Sequence, residues 1–260
     1  MREQVHTYDS VSEFVRDTPK FNESAHNAYW VGMPLDEAQR AVHTGHEASV
    51  VGAERFLALI ERELQNLPTT VGFETVRDVF GPRADMGDWM MGAPNPCRRR
   101  VRRDIETAPL KIVVNGFVSA GINTDQLRRR GEAIMALLMA IQSVRPVDLY
   151  AAGESTHTGT DGWRYFLIRL ESRPLSLSQA GFIIGHPAFF RTYGIGWFAA
   201  KNPDDTSVPW LGSTPAEQRE RLGLEPQDIL IEKASLGDAL LSDPLAWVRR
   251  EIAKIMPAVA

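Results

Sequence analysis

Between Val50 and Leu64 the apolar residues Val50, Ala53, Phe56, Leu57, Ile60 and Leu64 recur every three or four positions, with glutamates and arginines between them. That is the period of an amphipathic helix, and Leu67-Pro68 closes it. A run after Pro34 (Leu35, Ala38, Ala41, Val42) has the same spacing, and Gly45 separates the two. The pattern predicts two helices packed as an antiparallel pair. Upstream, Val11, Phe14 and Val15 predict a short helix, capped by Ser10 or Ser12 and ended by Pro19. The first hundred residues therefore read as mainly helical.

From Val71 to Arg103 the pattern loses its period, and Gly and Pro punctuate it, as in the GAPNP stretch at 92–96. It returns in another form at Leu110. The run LKIVV (110–114) is short, apolar and β-branched, which suits a strand buried on both faces. A polar loop leads into a helix from about Thr124 to Ser143, apolar along Ile134, Leu137, Leu138 and Ile141, and PVDLY (146–150) reads as the next strand. Strand, long helix, strand is the pattern of parallel pairing. WRYFLIRL (163–170) and DILIE (228–232) predict two more strands. Residues 176–190 read as helical in parts, with Pro187 opening a second helix, and Asp243-Pro244 begins a C-terminal one. The expected class is α/β, an open, mostly parallel sheet with flanking helices and an N-terminal helical extension. The divisions are a helical segment (1–70), an irregular Gly/Pro/Arg-rich connection (71–108) and an α/β domain (109–260), all able to join in one compact unit.

Composition narrows the classes. A net charge of −4 gives no whole-molecule attraction for nucleic acid or an anionic membrane, so such a partner needs a local patch. A single cysteine, Cys97, excludes an internal disulfide and any Cys-rich zinc module, in keeping with a reducing cytoplasm. The N-terminal stretch MREQVHTYDSVSEF lacks a signal-peptide apolar core, and the longest apolar run, near Ile134–Ile141, is too short to span a bilayer. A cytoplasmic protein without a membrane partner is expected.

Five blocks in order, YWVGMPLDEA (29–38), DWMMGAPNPCRRR (88–100), LKIVVNGFVSAGI (110–122), RRGEAIMALLMAIQ (129–142) and GHPAFFR (185–191), resemble an uncharacterised family of bacteriophage and prophage proteins. That resemblance implies action in the host cell or association with a virion, and assigns no chemistry. The strand, polar loop and long helix also resemble the first βα unit of von Willebrand factor A-like domains, or more loosely a Rossmann-like sheet. In the former family an Asp-x-Ser-x-Ser loop holds a divalent metal. The matching positions are Asn115, Gly116, Phe117, Val118 and Ser119, so only Ser119 is kept, and Asn115 lacks the anionic oxygen that a hard cation favours.

Five sets of residues carry candidate chemistry. Arg98, Arg99, Arg100, Arg102 and Arg103 can neutralise phosphates, and Arg128, Arg129 and Arg130 add a second cluster; the alternative is a solvated charged edge or a protein contact. Asn115 and Ser119 with His157 and Asp161 (and Thr158) form a strand-end set, where open sheets bind ligands and where Mg²⁺ would sit. His43, His46 and Glu47 offer zinc donors, but at a spacing that departs from the helical His-Glu-x-x-His order, so a polar inter-helix turn is the simpler reading. Trp89, Met90 and Met91 make either an exposed docking surface or an internal plug. Cys97 beside Arg98 is either an activated or an incidental thiol. His186 reads as a helix-start residue, and no phosphate loop or nucleophile elbow occurs. The expected protein is a non-enzymatic binding or assembly protein with a protein partner. The alternatives are nucleic-acid binding through the arginines, and a metal-dependent ligand binder or enzyme at the strand ends.

Overall fold

The chain begins with a strand that hydrophobic periodicity did not predict. A computed structural model describes residues 4–18, 28–64, 71–78, 83–104, 109–119, 121–142, 146–156, 163–170, 176–201 and 214–255. Strand β1 (Gln4–Tyr8) precedes helices α1 (Val11–Asp17), α2 (Ala28–Val31), α3 (Leu35–Thr44) and α4 (Glu47–Leu64). Strands β2 (Val71–Asp78) and β3 (Arg83–Ala84), helix α5 (Met86–Met90) and strand β4 (Cys97–Asp104) follow. Then come β5 (Leu110–Asn115), α6 (Thr124–Gln142), β6 (Val147–Thr156) and β7 (Trp163–Leu170). The C-terminal part holds α7 (Leu177–Ala180), α8 (Pro187–Phe189), α9 (Ile195–Lys201), α10 (Pro215–Arg221), β8 (Ile229–Ile231), α11 (Ala239–Ser242) and α12 (Pro244–Ile255). Gly181–Gly185 and Phe190–Gly194 wind as wider π-helical turns between α7, α8 and α9.

Two units result, residues 1–67 with 109–260, and residues 68–108. The larger is α/β, as the pattern predicts. Its sheet runs β1-β7-β6-β5-β8, with β5 parallel to β6 and β8, β1 parallel to β7, and β6 antiparallel to β7. Alternate residues of each strand face opposite ways. Ile112, Val114, Leu149, Ala151, Phe166 and Ile168 share the main core with α6, α4 and the helices after β7. Val113, Ala152 and Leu167 meet Leu222, at the end of α10, on the other face. Both faces of β5 are thus covered, which is why its sequence is an unbroken apolar run.

Helix α6 is buried along most of its length, from Arg130 to Leu138 without a break. Its Gly131 admits the π-helical turn so closely that a Cβ there would stand 2.0 Å from the carbonyl oxygen of Gly185. Ser10 caps α1 by accepting from the Glu13 N–H at 3.2 Å. His186 caps α8 ahead of Pro187, as the sequence predicts. Asp243 accepts from the Ala246 N–H at 3.0 Å at the start of α12.

Two expectations are corrected. The helices α3 and α4 do not pair with each other. Gly45, with φ of +86°, turns the chain so that α4 lies along α6, while α3 packs on α7, α8 and the first π-helical turn. The segment 71–108 is not an irregular connection either. Its strands β2, β4 and β3 form an antiparallel sheet in that order, with β4 in the middle. A β4 sequence of CRRRVRRD has no apolar alternation to reveal it, and the ladder to β2 supplies what its own propensity lacks.

Candidate functional site

Strands β5, β6 and β8 run parallel, so their carboxyl ends meet at one edge, where open sheets place ligand sites. Asn115 ends β5 there, buried, and its Oδ1 accepts from the Phe117 N–H at 2.9 Å. The amide therefore closes its own turn. The loop then runs beside the chain beyond β8: Ala234 N–H donates to Phe117 O and Ser119 N–H to Ala234 O, each at 2.9 Å. Ser119 is half-buried on this bridge.

Arg130 reaches the same edge from α6. Its Nη2 donates to Glu232 O at 2.6 Å and lies 3.4 Å from Asn115 O. Burial lowers its pKa to about 10, against the pull of nearby Asp238, so the guanidinium stays charged at neutral pH. This corrects its place in an exposed basic cluster. Arg130 is 4 % exposed and belongs to the sheet edge. The other two members differ again: Arg128 pairs with Glu132 at 2.7 Å and lies 3.7 Å from Asp125, while Arg129 is exposed. Helical phase could have separated them, since Arg130 falls three residues after buried Leu127 and four before buried Ile134. His157, Thr158 and Asp161 lie outside the described residues.

The histidine set is structural in its local geometry. His43 is exposed, whereas His46 holds Ser49 Oγ at 2.8 Å and sets its ring edge-on to His186, centroids 4.8 Å apart. His186 Nδ1 accepts from the Ala188 N–H at 3.1 Å. Burial, then the charges of His46 and Arg128, push the His186 pKa down to about 3. Among the described residues, no three His, Cys, Asp or Glu side chains gather to hold a metal.

In the small unit Cys97 is buried and unpaired. Trp89, Met90 and Met91 are exposed, at 60 %, 81 % and 80 %, as is Met86. Asp85 caps α5 by accepting from Gly87 N–H at 3.1 Å, which fixes where these side chains stand. The arginine run occupies β4, where Arg98 is opposite Arg77 on β2 and Arg83 on β3.

Periodicity gave no sign of Arg191. It is buried in the second π-helical turn, donates to Ile122 O at 3.0 Å and to Trp30 O, and lies over the Trp30 ring at 4.5 Å. It ties α2 to the loop before α6. The GHPAFFR block that contains it offered no donor or acceptor pattern to mark this role.

Comparison with curated proteins and with solved structures gives no match. A family model does match, over residues 2–249, and it runs through both units. The chain thus belongs to the family described as Domain of unknown function (DUF7192).

Proposed function

We propose that this is a non-enzymatic binding or assembly protein, built on a von Willebrand A-like sheet whose metal position has been taken over by an arginine. The observation that carries this reading is the Arg130 guanidinium on the carbonyls of Asn115 and Glu232. A divalent cation at the end of β5 would sit against a buried positive charge, and two like unit charges in a protein repel by about 4 kcal/mol at 4 Å, a divalent ion by roughly twice that. Asn115 also spends its Oδ1 on the Phe117 N–H, so the lost aspartate is not replaced by a free donor. The strand order β7-β6-β5-β8, with an antiparallel β6–β7 hairpin, supports the likeness at the level of topology. Fold alone does not carry function.

The protein acts by holding a partner, in the host cell or on a virion, as a product of a phage, prophage or related element. The sequence blocks at 29–38, 88–100 and 185–191 support that setting. Calorimetric titration of the full chain with Mg²⁺ and Mn²⁺, beside a panel of hydrolase and transferase substrates, tests the reading. Neither uptake nor turnover is expected. Micromolar metal binding lost in Asn115→Ala and Ser119→Ala, or turnover lost in His157→Ala, would overturn it.

A further inference from the structure

The small unit carries a surface of its own, and the inference drawn from it rests on the binding reading above. Cross-strand neighbours in an antiparallel ladder share a face, and successive residues alternate between faces. The register Arg77–Arg98–Arg83 therefore makes one row of three arginine positions across β2, β4 and β3. Arg100, opposite Thr75, and Arg102, opposite Phe73, continue the same face along β4. Arg99, Val101 and Arg103 fall on the other, with Cys97. Two residues identify the open side: Cys97 is buried, and Arg77 is exposed.

The run of arginines is thus divided. One face collects positions 77, 83, 98, 100 and 102. Like charges directly opposite one another weaken a ladder, yet this one sets arginine against arginine twice in a single row. A polyanion laid across the row would add counter-charge to it. Arg77 is already matched by Asp88 at 2.9 Å, and that ion pair ties α5 to the margin of this face. Beside Asp88 stands Trp89, 60 % exposed. A basic sheet face with a phenylalanine position within it and an exposed indole at its margin combines backbone neutralisation with a stacking group. Those are the two elements of a single-strand platform.

We infer that this face binds single-stranded nucleic acid, the arginines at 83, 98, 100 and 102 meeting phosphates and Trp89 stacking on a base. The contacts carry no sequence code, because phosphates are alike along the chain.

The test uses the full chain and fluorescein-labelled 20-mers of oligo-dT and oligo-U, read by anisotropy from 50 to 200 mM salt. Four phosphate contacts predict a slope of log K against log salt of about −3. Replacing the open-face set (Arg98, Arg100 and Arg102→Gln) is expected to weaken binding at least thirtyfold at 50 mM salt. Replacing the opposite set (Arg99 and Arg103→Gln) should change it less than threefold, and Trp89→Ala should cost about tenfold. Circular-dichroism melting checks each variant, and single Arg100→Gln and Arg102→Gln changes stand in for a triple variant that does not fold. Equal losses from both sets, or no binding at 50 mM salt, would overturn the inference. So would tighter binding of a duplex of the same length, or phosphatidylserine vesicles bound in preference through the same arginines. None of these failures touches the strand-end argument, which rests on Arg130 in the larger unit.

Discussion

Arg130 Nη2 lies 2.6 Å from Glu232 O, so a side chain of the long helix finishes on backbone just beyond the edge strand β8. The two residues are remote in sequence, and the bond sits at the carboxyl end of the sheet. A buried carbonyl that loses its partner costs about 1–3 kcal/mol.

Arg130→Met keeps the bulk of the aliphatic stem and removes both donors. It is expected to destabilise the larger unit by roughly 2–4 kcal/mol, since two carbonyls are left without the guanidinium. Urea unfolding followed by far-ultraviolet circular dichroism measures this. A midpoint equal to wild type would show that these contacts contribute nothing to stability.

His186 predicts an acid sensitivity. Its folded pKa of about 3 lies below the ordinary 6.5, chiefly through burial, so the unfolded chain binds its proton first as pH falls. Stability is whole above pH 6.5 and declines as pH drops toward 3, by about 1.4 kcal/mol per pH unit at most. His46, also lowered by burial, acts in the same direction. His186→Asn retains an acceptor for the Ala188 N–H and removes the titration, so its stability profile between pH 4 and 6.5 should be flatter than wild type. Parallel profiles would count against His186 as the source.

Gly131 and Gly121 make a matched pair of tests. A Cβ at Gly131 meets the Gly185 carbonyl at 2.0 Å, whereas one at Gly121 meets only a Leu236 methyl at 3.5 Å. Gly131→Ala is expected to cost about 1–3 kcal/mol by forcing α6 and the π-helical turn apart. Gly121→Ala should stay within about 0.5 kcal/mol of wild type. Thermal melts of both variants in one buffer give the comparison.

Tyr8 accepts from Trp197 Nε1 at 2.6 Å and donates to Asp17 Oδ2 at 2.5 Å, and Lys201 lies 3.0 Å from the same carboxylate oxygen. Tyr8→Phe leaves a fully buried indole N–H without its acceptor, at a cost of about 1–3 kcal/mol. Amide hydrogen exchange should rise first in β1 and α9, the elements this hydroxyl joins. Exchange that rises evenly over the molecule would show that the bond does not hold β1 in place.

The elements that the sequence revealed are those whose signal is local. LKIVV and the apolar length of α6 announce a buried strand and a buried helix by themselves, and the helix starts at Ser10, His186 and Asp243 follow from cap chemistry. Strand β1 was invisible because QVHTY carries no alternation, and it is held by the register of β7 and by Tyr8. Strand β4 hid behind its charge, since nothing in CRRRVRRD says which arginines share a face until β2 and β3 set the ladder. At the sheet edge, position alone singles out Asn115, but the role of Arg130 depends on a carbonyl more than a hundred residues away. Local pattern places elements, and long-range pairing decides what their polar residues do.

The position of β1 bears on how the chain is made. Gln4 is registered with Arg164, a separation of 164 − 4 = 160 positions, so the first strand emerges from the ribosome long before its partner exists. At about 5–20 residues per second that interval is roughly 8–32 s. Throughout it, β5, α6 and β6 can assemble without β1, because their pairings are nearer neighbours in the chain. The amino-terminal strand is therefore a late addition to a nascent sheet. Until β7 arrives, the pairing edge of β1 has no partner strand and is open to any other extended segment.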